Sequence, residues 1–220
     1  MNLGEAIEGL EKLVAEVRRA SLTDEKTRLR SALSLRQEAR LINEGKSEFD
    51  VVIFADLNDF KHLNDIHGHD AGDVAINKVG DVIHKAFVEG MHGKAFRQSG
   101  DEFVILLRQP IIADLETHAT TLSNISFDYN RKSLTTSLSI GYVASDRKTG
   151  FEDLLGQAEL ACQRAKVTGK SEQWTSEMRI SPIIRMTESC KSCGARITCN
   201  VPKQSAPSRL GRCPCCGSAF

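Results

Sequence analysis

The chain of 220 residues carries 29 basic and 29 acidic side chains and only 5% aromatic residues. That length suffices for one well-cored domain and a small appendage, while balanced charge and scarce aromatics argue against a surface built to hold nucleic acid. The N-terminal Met-Asn-Leu-Gly-Glu-Ala-Ile-Glu has no basic region leading into an apolar core, and no apolar run nears the roughly 20 residues that span a bilayer, so a cytoplasmic protein without a membrane partner is expected.

In chain order, Leu3, Ile7, Leu10, Val14 and Val17 recur at spacings of three and four, which predicts a helix over residues 1–20 with a heptad seam. Such a helix either lies on its own domain or pairs with a second copy. Strand and helix patterns then alternate over 21–172. Helices are predicted at 28–43, 59–66, 71–88, 112–123 and 151–167, and strands at 50–57, 94–98, 102–108 and 134–143. A hairpin centred on Ser99-Gly100-Asp101, among strand–helix units, implies an α+β sheet with helices on one face. Residues 173–189 are polar and read as a linker, and 190–220 form a separate module holding six of the seven cysteines once Cys162 is set aside as a core residue.

Chemistry concentrates in two places. Arg97-Gln-Ser-Gly-Asp-Glu-Phe103 puts the adjacent carboxylates Asp101 and Glu102 at the tip of a glycine turn, and Asp56 ends the apolar run Val-Val-Ile-Phe-Ala. Neighbouring carboxylates of this kind hold paired divalent metals for phosphoryl and nucleotidyl transfer. Past Asp56, backbone N–H groups at 58–61 open a helix and are natural phosphate donors. Asp73 is either an acceptor for the N1 and N2 edge of guanine, the only base with that adjacent donor pair, or the partner of an Asp70 helix cap. Asn64 either contacts a base or caps its short helix. Lys166 and Lys170 face phosphate or are ordinary solvated lysines near a helix C-terminus. His67 and His69 read as turn residues rather than metal ligands. Gly169-Lys170-Ser171 mimics the end of a P-loop, but Arg164 stands where the first glycine belongs, which excludes one.

Four blocks, in order across about residues 24–172, make the sequence resemble the GGDEF-domain diguanylate cyclases. They are Ser99-Gly100-Asp101-Glu102-Phe103 preceded by Arg97, the long block from Asp56 to Asp73, the strand from Thr136 to Gly141, and Ala165-Lys166-Val167-Thr168-Gly169-Lys170. The resemblance implies a palm-like, antiparallel-centred sheet with flanking helices, acting as a homodimer. Each protomer would hold one GTP, and the 3′-hydroxyl of each would attack the α-phosphate of the other to give cyclic di-GMP and pyrophosphate. It further implies that Asp56, the Leu57 carbonyl and Asp101 ligate two Mg²⁺ or Mn²⁺ ions and that Glu102 lies beside them. Asn64 and Asp73 would read guanine, with His69 nearby, while Phe60, Lys61, Lys166 and Lys170 would hold the phosphates.

The chain departs from the family pattern at several points. Ser99 replaces a glycine, Asn58 an aspartate and Lys170 an arginine, and Glu159 and Gln163 stand for Asp and Tyr. The opening motif Asp-x-Leu-Thr-Gly-Leu-x-Asn-Arg is reduced to Asp24-Glu25-Lys26-Thr27-Arg28-Leu29-Arg30-Ser31-Ala32. Gly90 and Gly93 occupy the Arg-x-x-Asp positions of the family's product-inhibition site, so that feedback is expected to be absent. An alternative follows from these changes: a degenerate domain that binds GTP without turnover and signals through its C-terminal module.

That module contains Cys190-Lys-Ser-Cys193-Gly and Cys213-Pro-Cys-Cys216-Gly, two C-x-x-C knuckles nineteen residues apart. The spacing fits a four-thiolate zinc ribbon with one structural Zn²⁺ on Cys190, Cys193, Cys213 and Cys216; Cys199 and Cys215 are extra. About 30 residues hold no core of their own, so the metal supplies the folding energy. Residues 185–212 carry six basic residues against one acid, which leaves open a nucleic-acid or a protein partner for the ribbon.

Overall fold

The computed structural model describes residues 3–110, 112–168, 171–173, 183–202 and 215–216. The chain runs α1 (Leu3–Ser21), α2 (Ala32–Asn43), β1 (Val51–Leu57), α3 (Phe60–His67), α4 (His69–Ile83) with a π-helical extension (His84–Glu89), β2 (Lys94–Ser99), β3 (Glu102–Leu107) and α5 (Ile112–Thr121). It continues through β4 (Ile125–Tyr129), β5 (Lys132–Thr136), β6 (Leu138–Ala144), α6 (Phe151–Thr168), β7 (Glu172–Gln173), β8 (Ile183–Ser189) and β9 (Arg196–Pro202).

A five-stranded sheet in the order β2-β3-β1-β6-β7 forms the centre, antiparallel except for the β6–β7 pair. β1 lies in the middle, and its run Val51–Ala55 is wholly buried. Because successive side chains point to opposite faces, a strand buried at every position needs cover on both sides. Val51, Ile53, Ala55 and Leu57 pack with Ile76, Val79 and Phe87 of α4 and its extension and with Leu115 of α5. Val52 and Phe54 pack with Leu35 of α2 and with Leu154 and Cys162 of α6. Helices therefore cover both faces, not one. The unalternating apolar run was the signal for it.

Three further elements differ from the sequence expectation. Helix α2 starts at Ala32 rather than 28, because Arg28 adopts a left-handed φ of 59° within a turn and Ser31 caps the helix. The predicted strand 134–143 is two strands in different sheets, broken at Ser137, whose carbonyl accepts from the Asn58 amide at 2.8 Å. β5 pairs instead with β4 in a hairpin turned by Asn130 (φ 48°) and Arg131 (φ 63°). That turn type favours Asn-Gly, and arginine at its second place hides it from sequence.

Where β6 meets α6, the approach is close. A Cβ at Gly141 would lie 2.0 Å from the Cys162 amide nitrogen and 2.2 Å from the Ala158 carbonyl oxygen, so only glycine lets α6 seat there. On α1, Ile7, Leu10, Val14 and Val17 are 48–61% exposed, so this helix does not bury its seam on its own domain. Among the described residues no helix is long and apolar enough to cross a membrane.

Candidate active site

Strand register builds an acidic edge. Asp56 stands opposite Glu102 of β3 on one side and Ser139 of β6 on the other. The Leu57 amide donates to the Asp101 carbonyl at 3.1 Å, drawing the turn between β2 and β3 against the end of β1. From the last turns of α6, Lys166 sets its Nζ 2.6 Å from Asp56 Oδ1. Burial pushes the Asp56 carboxyl above its ordinary pKa; the Lys166 ammonium opposes that shift, and the Asp101 and Glu102 carboxylates add to it. A carboxylate in that position is short of counter-charge, and a divalent cation would supply it. Two carboxylates and a backbone carbonyl are the hard oxygen donors that Mg²⁺ and Mn²⁺ favour, so these residues fit the metals.

A guanidinium locks the turn. Arg97 donates through Nε and a terminal nitrogen to the Gly100 carbonyl at 3.0 and 2.6 Å, and through its other nitrogen to both Asp24 oxygens at 3.2 Å. Asp24 in turn accepts from the Thr27 amide and hydroxyl at 2.9 and 2.8 Å. Burial alone would raise the Asp24 pKa, but the Thr27 hydrogen bonds and Arg97 outweigh it and hold the carboxyl below its usual range. The segment Asp24–Arg30 also bonds along the edge of the sheet, where the Arg30 amide reaches the Ala95 carbonyl and the Arg97 amide the Arg30 carbonyl. Eroded as a motif, the segment still makes the turn that supports the site. Asp24, Thr27 and Leu29 carry it. Ser99 Oγ donates to Glu102 Oε2, so the serine that replaces glycine restrains that glutamate.

At the α3–α4 corner, Asn64 of α3 and Asp73 of α4 are in different circumstances. Asn64 lies inside α3, so it caps neither end. Its Oδ1 is buried without a hydrogen-bond partner, and a Cβ at Gly72 would lie 1.9 Å from it and 3.2 Å from the Phe60 ring. Glycine at 72 is what makes room for the amide. The cap of α4 is Gly68, not Asp70, which removes the capping role considered for Asp73. Asp73 Oδ1 instead accepts from the Lys26 ammonium, a partner the sequence did not indicate.

At the start of α3, Asp59 takes a left-handed φ of 55°, Phe60 leans on the core and Lys61 is exposed. His69 is the first residue of α4 and is exposed; Gly169 and Lys170 lie outside the described residues. Asn58 has a structural partner set: its Nδ2 donates to Ser137 Oγ at 2.9 Å and its Oδ1 accepts from Ser139 Oγ at 2.7 Å. This amide pins the end of β1 to the start of β6 through two serines.

Residues 21–172 match the model of the family described as diguanylate cyclase, GGDEF domain. The chain belongs to the GGDEF family. A 19.3 kDa protein from the repSA 5′ region of Streptomyces ambofaciens is 32% identical over 180 residues, covering 80% of this chain and 93% of that protein. The diguanylate cyclase DgcN of Escherichia coli is 28% identical over 159 residues, 69% of this chain and 38% of that protein. The chain thus spans well under half of that longer cyclase. Among solved structures, the coiled coil and GGDEF domain of DgcB from Caulobacter crescentus in complex with c-di-GMP superposes with a TM-score of 0.66. At 22% identity, over 77% of this chain and 94% of that one, it shows the fold. GGDEF domains bind GTP and act as dimers, and the enzymes among them use Mg²⁺ or Mn²⁺.

Beyond the GGDEF domain, β8 and β9 form an antiparallel hairpin from Ile183↔Pro202 to Ser189↔Arg196, and β9 packs on α6. β8 falls within the stretch read from sequence as a linker. At the hairpin tip the Cys190 amide bonds the Ala195 carbonyl and the Gly194 amide the Cys190 carbonyl, both at 2.8 Å, with Gly194 at φ 72°. Cys190, Cys193 and Cys216 place their sulfurs within 4.8 Å of one another; Cys213 lies outside the described residues. The Cys190 and Cys216 sulfurs are 3.6 Å apart, far longer than a disulfide. A tetrahedron with Zn–S bonds of about 2.3 Å has sulfur–sulfur edges of roughly 3.8 Å, so the cluster fits Zn²⁺.

Proposed function

We propose that this protein is a cytoplasmic diguanylate cyclase that condenses two GTP molecules into cyclic di-GMP and two pyrophosphates across a homodimer. The observation that carries the reading is the convergence of Asp56, Glu102 and Lys166 on one sheet edge, with Asp101 hydrogen-bonded to it through its backbone. Asp56, Asp101 and the Leu57 carbonyl would hold two Mg²⁺ or Mn²⁺ ions, which when bound supply activation of the 3′-hydroxyl and charge neutralisation at the α-phosphate. Asn64 and Asp73 bind the guanine edge, and the orphaned Asn64 oxygen gains a donor from the base. Backbone amides at Phe60 and Lys61, with Lys166 and Lys170, hold the phosphates, and His69 flanks the bound nucleotide. Lys166 moves from Asp56 to phosphate as substrate and cations arrive. Glu102 stays restrained by Ser99 beside the reacting centre.

Dimerisation is assigned to the exposed seam of α1, whose spacing suits a second copy of itself. Product inhibition is absent in this reading. A Cβ at Gly93 would lie 2.9 Å from the Phe87 carbonyl and 3.0 Å from that of Leu106, so the turn admits no side chain there. Cys190, Cys193, Cys213 and Cys216 hold one structural Zn²⁺. Because β9 packs on the helix that carries Lys166, the ribbon regulates or localises the enzyme through α6, by way of a protein or nucleic-acid partner.

The second reading, GTP binding without turnover, draws support from the two ties on the acidic edge, Ser99 to Glu102 and Lys166 to Asp56. Incubation of the purified chain with GTP and Mg²⁺ or Mn²⁺ separates the two. Cyclic di-GMP should form, and Asp101→Asn should reduce it by about 10²–10³-fold or more while the protein stays folded. GTP binding with no product from the wild type would leave the second reading standing.

A further inference from the structure

The Lys26–Asp73 contact joins residues 47 positions apart at the very carboxylate assigned to guanine. As an exposed ion pair it adds little to stability, so stability alone does not account for the placement of its lysine. The Lys26 carbonyl accepts from Asn77 Nδ2 of α4 at 2.8 Å. Its neighbour Thr27 is buried and sits so close to Gly80 that a Cβ there would lie 2.6 Å from the threonine Cβ. Asp24 and Arg97 hold the same turn from the other side. Two rigid attachments thus present the Lys26 side chain to the N-terminal turns of α4, beside Asp73.

Lysine has three N–H donors and no acceptor, and one donor goes to Asp73 Oδ1. What remains is an ordered edge: a cationic donor next to a carboxylate acceptor. Guanine offers the complement, with the O6 acceptor next to the N1 and N2 donors. Adenine reverses both places, setting its 6-amino donor against the ammonium and its N1 acceptor against the carboxylate. Beneath that edge, the Asn64 amide with its unpartnered oxygen lies against Gly72 and the Phe60 ring, a second sign that a planar polar ligand completes this corner.

Resting on the GTP site proposed above, we infer that Lys26 is a specificity-determining residue that donates a hydrogen bond to guanine O6, beside the Asp73 carboxylate assigned to N1 and N2. Binding is measured on the full chain in the Asp101→Asn background, which holds turnover off, with GTP, 6-thio-GTP (a weak acceptor in place of O6) and ITP (no 2-amino group). With Lys26 present, GTP should bind roughly tenfold more tightly than 6-thio-GTP, the size of one charge-assisted hydrogen bond. Lys26→Met should bring those two affinities within about twofold while leaving the GTP-to-ITP ratio in place, and Lys26→Arg should restore the preference. Equal losses for GTP and 6-thio-GTP on Lys26→Met would mean that the lysine only supports Asp73, and tighter GTP binding would mean that it blocks the site; either overturns the inference and leaves the guanine site intact. No GTP binding at all, with Lys26 and Asp101 both intact, would overturn the site itself.

Discussion

The acidic edge and the cysteine cluster hold chemically active side chains by opposite means. Asp56, Glu102 and Ser139 meet because three strands are in register, and the register is fixed by a core on each face of the sheet. Cys190 and Cys193 meet because a six-residue hairpin tip folds on itself with two backbone hydrogen bonds. Distant packing positions the first site, so it tolerates the loss of a ligand side chain without losing its shape. Local geometry, together with the Zn²⁺ proposed there, would position the second, so there ligand and fold would be one thing.

Removing the metal gives the sharpest contrast. Structural Zn²⁺ in zinc-finger peptides is worth about 10–16 kcal/mol, and the Zn²⁺ proposed above would supply folding energy of that order to the β8–β9 hairpin. Chelation, or Cys190→Ser, should abolish amide protection across β8 and β9 while β1, β3 and β6 keep theirs in hydrogen exchange. Loss of protection in the central sheet as well would mean that the two regions fold as one unit.

A smaller effect tests the core from inside. Gly141→Ala forces a methyl against the Cys162 amide and the Ala158 carbonyl, and overpacking of this kind costs about 1–3 kcal/mol. In a domain of this size that lowers Tm by roughly 3–10 °C. Cyclase activity should fall with it, because α6 carries Lys166, while zinc content stays the same. An unchanged Tm would show that the β6–α6 approach is looser than described.

The smallest change concerns the charge at the edge. The folded Asp56 carboxyl has a pKa above the unfolded value of 3.8, so its ionisation destabilises the fold. That contribution to stability is present below the unfolded pKa and is lost as pH rises through the folded one. Asp56→Asn removes the titration. In the presence of a chelator its Tm should equal or exceed the wild type by up to roughly 2–4 °C at pH 7, with the difference closing towards pH 4. Activity should vanish in the same variant. A Tm clearly below the wild type would mean that the Lys166 ion pair outweighs the burial of the charge.

The signature turn, the Asp56–Asp73 block and the knuckle spacing were all legible in the sequence, because each is a short run whose meaning lies in residue type and separation. The supporting residues were not. Arg97 reaches Asp24 across 73 positions, and Lys26 reaches Asp73 across 47. Nothing in the neighbourhood of any of the four announces its partner. The segment Asp24–Ala32 looked degraded as a motif, yet Asp24 and Thr27 build its turn, and Arg28 takes the left-handed backbone where the family pattern has glycine.

The sequence by itself determined the chemistry on offer: carboxylates at strand ends, an amide and an acid near a helix start, thiols in pairs. Periodicity sufficed for most helices and for the central strand, since apolar spacing reflects which faces must leave water. Tertiary structure decided what those groups see. It put helices on both faces of the sheet, split residues 132–144 between two sheets, turned Asn58 towards two serines, and set Lys26 on Asp73. Each of these depends on contacts between segments far apart in the chain, and packing of the whole core, not local preference, selects such contacts.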